Sequence, residues 1–201
     1  MSREFFNDVA SSFATTYAPG RSWRSVAEAF LKIHQFQVVA DLGAGEGAIS
    51  LLLSQNAEQV IAVDSSPKMV EFGSAQALKH GISNVDFRLG EIEQVPIKDH
   101  EADLVIFSQA LHHAENPAEA LNEAYRILKP NGKLIIIDLL EHQYEEAKTK
   151  FYDKWLGFKE SYLEGVSMDA GFTELNLSIV DREDHAPYLE TLLVTGKKPA
   201  H

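Results

Sequence analysis

The residues able to do chemistry in this 201-residue chain gather at a few points, and the densest is Asp41-Leu42-Gly43-Ala44-Gly45-Glu46-Gly47. A short apolar run, Val38-Val39-Ala40, ends there in an acid and then breaks into glycines at every second position. Glycine serves where the chain needs positive φ, or where a ligand lies against bare backbone. Ile49, Leu51, Leu52 and Leu53 follow at the start of a helical pattern, so a nucleotide-like ligand is expected over a strand-turn-helix junction. Asp41 carries its own information, because a carboxylate at the end of a buried strand needs a partner. Asp64 ends the next apolar run about 20 residues on, the spacing of a carboxylate that accepts bonds from ribose hydroxyls. A helix N-cap is the plainer reading of Asp64, since Ser65-Ser66-Pro67 can open a helix. Two further run ends carry Gly90-Glu91-Ile92 and Ser108-Gln109-Ala110-Leu111-His112-His113. A neutral histidine there can take a proton from a hydroxyl or an acidic carbon. The same pair can equally cap and pack the loop before Asn116-Pro117. His112, His113, His142 and Glu146 bear metal-type donors, but their spacing matches no metal signature and no metal centre is expected.

The elements that must hold these residues follow from hydrophobic periodicity. Strand-like runs at 37–42, 59–64, 85–89, 102–107 and 132–138 alternate with helical patterns, which predicts a doubly wound parallel α/β sheet of Rossmann-like form. Asn131-Gly132 reads as the tight turn into the fifth strand, after a helix ending near Leu128-Lys129-Pro130. The runs at 174–181 and 189–196 are separated by too few residues for a parallel crossover, so the sheet of about seven strands should close on an antiparallel final strand. Residues 1–35 read as an N-terminal helical cap, with Phe5, Phe6, Val9, Ala10 and Phe13 on one helix and Val26, Ala29, Phe30 and Ile33 on the next. Glu141 to Leu163 reads as a charged helix on which Phe151, Trp155, Phe158 and Tyr162 form an aromatic stripe. Segment 141–165 is then either core or subunit contact, or a lid over a pocket for a flat or apolar substrate. The whole chain, 1–201, is expected to be one domain.

Composition narrows the partners. Acids outnumber bases 30 to 18, a net charge of -12, which disfavours a nucleic-acid substrate. No apolar run approaches membrane-spanning length, and the first residues have no signal-peptide form. Cysteine is absent, which removes thiolate nucleophiles and thiol metal ligands and fits a cytoplasmic location. A small molecule is the expected partner, and a homodimer is left open.

Five pieces in order resemble class I S-adenosylmethionine (SAM) methyltransferases of the small-molecule type. They are Asp41 to Gly47, Val63-Asp64-Ser65-Ser66-Pro67-Lys68-Met69, Leu89-Gly90-Glu91-Ile92-Glu93, Leu111-His112-His113 and Arg126-Ile127-Leu128-Lys129-Pro130-Asn131-Gly132. The resemblance covers residues 21–197 and points to the ubiquinone/menaquinone-biosynthesis methyltransferases and to the methyltransferase half of arsenic-responsive-type regulator fusions. It implies a SAM cofactor, with S-adenosylhomocysteine (SAH) as its product. Gly43, Ala44, Gly45 and Gly47 would lie under the methionyl part, and Asp41 would order its polar end. Asp64 would take the ribose hydroxyls, with Ser65 and Met69 beside it. Glu91, where the family more often has Asp, would face the adenine amino group beside Ile92. Ser108 would offer its carbonyl to the methionyl ammonium, and Arg21 is the candidate for the methionyl carboxylate, a surface arginine being the alternative. The acceptor would sit beyond the ends of the fourth and fifth strands, with His113 or His112 as general base.

The acidic-Pro-Pro-aromatic loop of amino-methylating enzymes is absent, Ser108-Gln109-Ala110-Leu111 standing in its place, and cysteine-based arsenite binding is unavailable. Two other readings compete. One is a SAM-binding sensor or interaction module without robust catalysis. The other is an NAD(P)-dependent oxidoreductase, since Gly43, Gly45 and Ala48 satisfy G-x-G-x-x-G/A, although Gly47, Asp41 and the closing hairpin stand against it.

Overall fold

The computed structural model describes residues 35–183 and 186–200. The helices read over the first 34 residues, and Arg21 with them, lie outside the described residues. In chain order the elements are β1 (Phe36–Leu42), α1 (Ala48–Leu53), β2 (Ala57–Asp64), α2 (Pro67–Lys79), β3 (Val85–Leu89) and β4 (Ala102–Ser108). A 3-10 turn (Leu111–His113) leads to α3 (Pro117–Ile127), β5 (Leu128–Leu139), α4 (Ala147–Lys150), α5 (Glu160–Asp169), β6 (Thr173–Arg182) and β7 (Glu190–Lys197). The strands form one seven-stranded sheet in the order β3-β2-β1-β4-β5-β7-β6. β1 through β5 pair parallel, and β7 runs antiparallel to both β5 and β6.

The inner stretches of β1, β2, β4 and β5 (Val39–Leu42, Val60–Val63, Leu104–Phe107 and Leu134–Leu139) are buried and almost wholly apolar because both faces of the sheet are covered there. Side chains alternate across the pleat. Ala40, Leu42, Val105, Phe107, Leu134 and Ile136 join one core cluster, while Val39, Leu104, Ile106, Ile135 and Ile137 join the other. Each of the larger of these side chains, fully withdrawn from water, contributes roughly 1.5–3 kcal/mol before chain entropy is subtracted. α3 begins where Asn116 accepts a hydrogen bond from the Ala118 amide (3.2 Å) and Pro117 occupies its first turn.

Two local expectations are corrected. α3 ends at Ile127, and Asn131-Gly132 is absorbed into β5 as an irregularity, with Asn131 at φ 66° and its amide bonded to Lys198 O (3.0 Å). No continuous helix runs from Glu141 to Leu163: only four residues of α4 are helical before the chain extends again. Tyr152 and Gly157 take positive φ (62° and 70°), and a Cβ at Gly157 would lie 2.3 Å from Leu140 O. Leu156 and Phe158 instead accept amide bonds from His142 (2.9 Å) and Glu141 (3.0 Å), so 156–158 lies along the end of β5. We refer to residues 151–159 as the strap.

Candidate functional site

β1 and β4 are sheet neighbours although two strands separate them in sequence, which makes their carboxyl ends the point where strand order reverses. Gly43, from the end of β1, abuts Ala110, from the end of β4, so closely that a Cβ on Gly43 would lie 2.5 Å from Ala110 Cβ. Gly43, Gly45 and Gly47 all have positive φ (76°, 55° and 83°). A Cβ at Gly47 would strike the Phe87 ring at 2.4 Å, whereas Gly45 has nothing within 4 Å of that position. Two glycines are therefore needed for packing, and the third leaves bare backbone facing open space.

Asp41 is 1% exposed. Ser50, from α1, donates its hydroxyl to Asp41 Oδ2 at 2.5 Å, while Oδ1 is buried without a partner. Burial pushes this carboxyl up to about 7, the Ser50 hydrogen bond opposing and the Asp64 charge adding to the rise. Asp64 braces the turn: its carboxylate accepts the amides of Gly45 (2.8 Å) and Ser66 (2.9 Å). It thus does part of what a helix-start acid does while remaining half-buried at the tip of β2. Ala44, buried, and Gly43 donate their amides to Val63 O (2.9 and 2.8 Å). Ile92 reaches within 3.8 Å of the Gly43 Cβ position, and half-buried Ser108 ends β4. Met69 is half-buried in the first turn of α2, Ser65 is exposed just before it, and Glu91 is exposed in a turn closed by the Gln94 amide (3.1 Å). The structure thus brings Asp41, the glycines, Asp64 and Ile92 together and leaves Glu91 and Ser65 at the rim.

The histidine pair lies on the 3-10 turn after β4, and Asp138, at the end of β5, holds that turn in place. Asp138 is fully buried and accepts from His112 Nδ1 (2.7 Å), the Leu111 amide (2.9 Å) and the Leu139 amide (2.7 Å). Burial works against ionisation of Asp138, but the His112 charge and hydrogen bonds outweigh it and hold the carboxyl below its usual range. Burial likewise works against a charge on His112, yet Asp138 and Asp153 raise its pKa above the ordinary value. His113 differs. Its side chain is 43% exposed, and burial together with the neighbouring His112 charge lowers its pKa. The rings pack at 4.1 Å between centroids.

The strap docks on this turn, its Lys154 and Trp155 amides both donating to His112 O (3.0 Å) and the Trp155 indole to Ala114 O (3.0 Å). It carries Asp153, which sequence reasoning missed. Phe158 is core rather than pocket wall, stacked on Tyr162 beside half-buried Trp155. His142 Nδ1 accepts the Tyr144 amide (3.2 Å), and Glu146 is an exposed partner of Lys150. Neither stands in the cluster of His112, His113 and Asp153 that the fold assembles. Ser50 also went unassigned, and Asp138 was expected only at the strand end beside the acceptor, without its hold on the histidine turn. Asp138 had a signal: it ends Leu134-Ile135-Ile136-Ile137 as Asp41 ends its own apolar run.

Residues 40–136 match the methyltransferase domain family. The uncharacterized methyltransferase YcgJ of Bacillus subtilis is 35% identical over 100 residues, 50% of this chain and 40% of that protein. The ubiquinone/menaquinone biosynthesis C-methyltransferase UbiE of Proteus mirabilis is 27% identical over 165 residues, 77% of this chain and 65% of that protein. The chain spans about two fifths of the length of several curated relatives it matches. The crystal structure of YcgJ aligns with a TM-score of 0.74 at 18% identity, covering 88% of this chain and 99% of that one. Geranyl diphosphate C-methyltransferase from Streptomyces coelicolor, solved with Mg2+, geranyl diphosphate and SAH, aligns with a TM-score of 0.74 at 14% identity, covering 87% of this chain and 77% of that one. Likeness at such identities speaks for the fold, and the sheet closed by antiparallel strands departs from the all-parallel dinucleotide pattern. Among the described residues no helix is long and apolar enough to cross a membrane. The family match spans the glycine turn, both acids and the histidine pair, and together with the sheet topology it supports a class I SAM-dependent methyltransferase domain over these residues.

Proposed function

We propose that this chain transfers a methyl group from SAM to a small molecule, with His113 accepting the proton that the acceptor gives up. The observation that carries the reading is Asp41, whose buried Oδ1 lacks a partner at the root of a glycine turn with bare backbone at Gly45. Such a site suits a ligand that brings positive charge and no pyrophosphate, as a sulfonium amino acid does and a nicotinamide dinucleotide does not. Gly43, Ala44, Gly45 and Gly47 would floor the donor site. Asp64 has lone pairs left for ribose hydroxyls after bonding Gly45 and Ser66. Ile92, Met69, Ser65, Glu91 and Ser108 line its approach, and Arg21 keeps the carboxylate role drawn from the family resemblance.

SAM, when bound, supplies an activated methyl group, and the protein's part is alignment and exclusion of water. Burial and the His112 charge keep His113 neutral near pH 7, able to take a proton, and its exposure lets it release that proton to solvent. His112, fixed by Asp138, is a positioning residue.

The test joins calorimetry to label transfer. SAM and SAH are expected to bind the wild type, and Asp41→Ala is expected to weaken both at least tenfold. Methyl-labelled SAM incubated with metabolite extracts should give a labelled small molecule, and His113→Ala should slow its formation roughly 100-fold. The rate should rise with pH through a midpoint below the usual histidine value of about 6.5 and stay flat above it, because lowering this pKa extends the neutral form to lower pH. SAM binding with no label transfer would make the chain a cofactor-binding module. NADH binding without SAM binding would overturn the reading altogether.

A further inference from the structure

Asp153 sits on the strap, 6% exposed, and its Oδ1 is buried with no hydrogen-bond partner. Burial raises its pKa, with the two imidazoles opposing. The same oxygen lies 3.8 Å from His112 Nε2 and 3.8 Å from His113 Nδ1. Both gaps are too long for a hydrogen bond, and both are the right size for one intervening atom. One ligand atom from each of the three residues lies within 4.8 Å of the others. An oxygen or nitrogen seated off the lines joining them can lie about 2.8 Å from Asp153 Oδ1 and from each ring nitrogen, a normal hydrogen-bond length.

The donor inventory sets what that atom must be. His112 Nδ1 is bonded to Asp138, and Nε2 faces the gap, carrying a proton in the imidazolium form that Asp138 and Asp153 favour. Asp153 Oδ1 accepts, and neutral His113, which also faces the Tyr152 carbonyl, has a lone pair to offer. The group in the gap must therefore accept from His112 and donate to Asp153 or His113. His142 stands outside this cluster: its Nδ1 accepts the Tyr144 amide, and its Nε2 is buried without a partner.

We propose that Asp153 anchors the methyl acceptor, and that the acceptor's reacting group is an O–H or N–H seated among Asp153, His112 and His113. This rests on the methyl-transfer reading and names its substrate class: hydroxyl, phenol or amine compounds rather than carbon nucleophiles. In the transfer, the acceptor's oxygen or nitrogen bonds to the methyl carbon as the carbon–sulfur bond breaks. The electron pair leaves with sulfur as SAH, and the acceptor's proton passes to His113 and on to solvent. An unsatisfied buried carboxylate oxygen costs about 1–3 kcal/mol or more, so satisfying it favours a donor-bearing acceptor over an apolar isostere.

The experiment titrates SAH-saturated protein with phenol, benzylamine and toluene while nuclear magnetic resonance follows the histidine rings, assigned with His112→Gln and His113→Gln. Phenol or benzylamine is expected to shift both rings saturably, and toluene at least tenfold more weakly. Asp153→Asn should weaken the phenol or benzylamine response at least tenfold with SAH affinity by calorimetry unchanged. Equal response to toluene, no response to either donor compound, or a labelled product methylated on carbon overturns the proposal. Loss of SAH binding by the wild type would instead sink the methyl-transfer reading, so the two failures are distinguishable. The wild-type comparison of the three compounds needs no variant to fold.

Discussion

At the scale of the residue, Asp41 is where fold and site oppose each other. Its carboxyl has an unfolded value near 3.8 and a folded value of about 7, driven by burial. Folded chains therefore bind more protons than unfolded ones between those values, and stability falls as pH rises from about 4 to about 7. Each pKa unit is worth about 1.4 kcal/mol, so the destabilisation at pH 8 can reach about 4 kcal/mol. Asp41→Asn, which keeps an acceptor for the Ser50 hydroxyl, is expected to melt above the wild type at pH 8, with the gap closing toward pH 4 in thermal scans. The same variant should bind SAH at least tenfold more weakly. Because the ammonium of SAH favours the ionised acid, SAH binding by the wild type at pH 7 should release up to about half a proton, read as a buffer-dependent calorimetric enthalpy. Asp41 and Asp64 were legible because each ends an apolar run at a spacing with a known physical meaning. Asp153 was not, since its role exists only once the strap is laid across the histidine turn from 40 residues further along the chain.

At the scale of the element, the strap explains why periodicity failed between Glu141 and Leu163. Phe151, Trp155, Phe158 and Tyr162 recur as on a helix, and three of them do cluster, but stacking rather than helical backbone joins them. Gly157 decides the matter. Its φ of 70° and its contact with Leu140 O leave no room for a side chain, and Phe158 then pairs with the end of β5. The sequence held that signal, one glycine inside an amphipathic run, which reads as a weak helix position until its conformation is known. Gly157→Ala is expected to cost roughly 2–3 kcal/mol, from a strained left-handed alanine and a displaced backbone. Hydrogen exchange should then quicken at the His142 and Trp155 amides, whose partners are Leu156 O and His112 O, while the amides of β1 and β2 stay protected.

Across the whole molecule, the parallel and antiparallel character of the strands follows from rules readable without coordinates, whereas the seat of β7 between β5 and β6 does not. Parallel runs joined by helical patterns place the nucleotide-type turn at a switch point, and the short gap between the last two runs forces antiparallel pairing. What composition hides is how the closing strand is fastened. β7 ends at Lys197, and Lys198 turns inward at 6% exposure, donating to Tyr125 O (2.7 Å) and Leu128 O (2.9 Å) with its ammonium 4.4 Å from the Tyr125 ring centroid. Burial lowers the pKa of this lysine, and Asp99 partly offsets the fall. A lysine in a polar C-terminal run reads as solvated, yet this one closes the carbonyl end of α3 and the bulged start of β5. It does so at the ends of β4 and β5 opposite the glycine turn and the histidines. Lys198→Met keeps most of the stem's packing and removes the donors, leaving two carbonyls short of a charged partner. Hydrogen bonds of that kind contribute about 1.5–3 kcal/mol, so the melting temperature is expected to fall by roughly 4–8 °C. SAH affinity should be unchanged by calorimetry; a variant that melts like the wild type would show that the latch carries no load, and one that loses SAH would show that the two ends of the sheet are coupled.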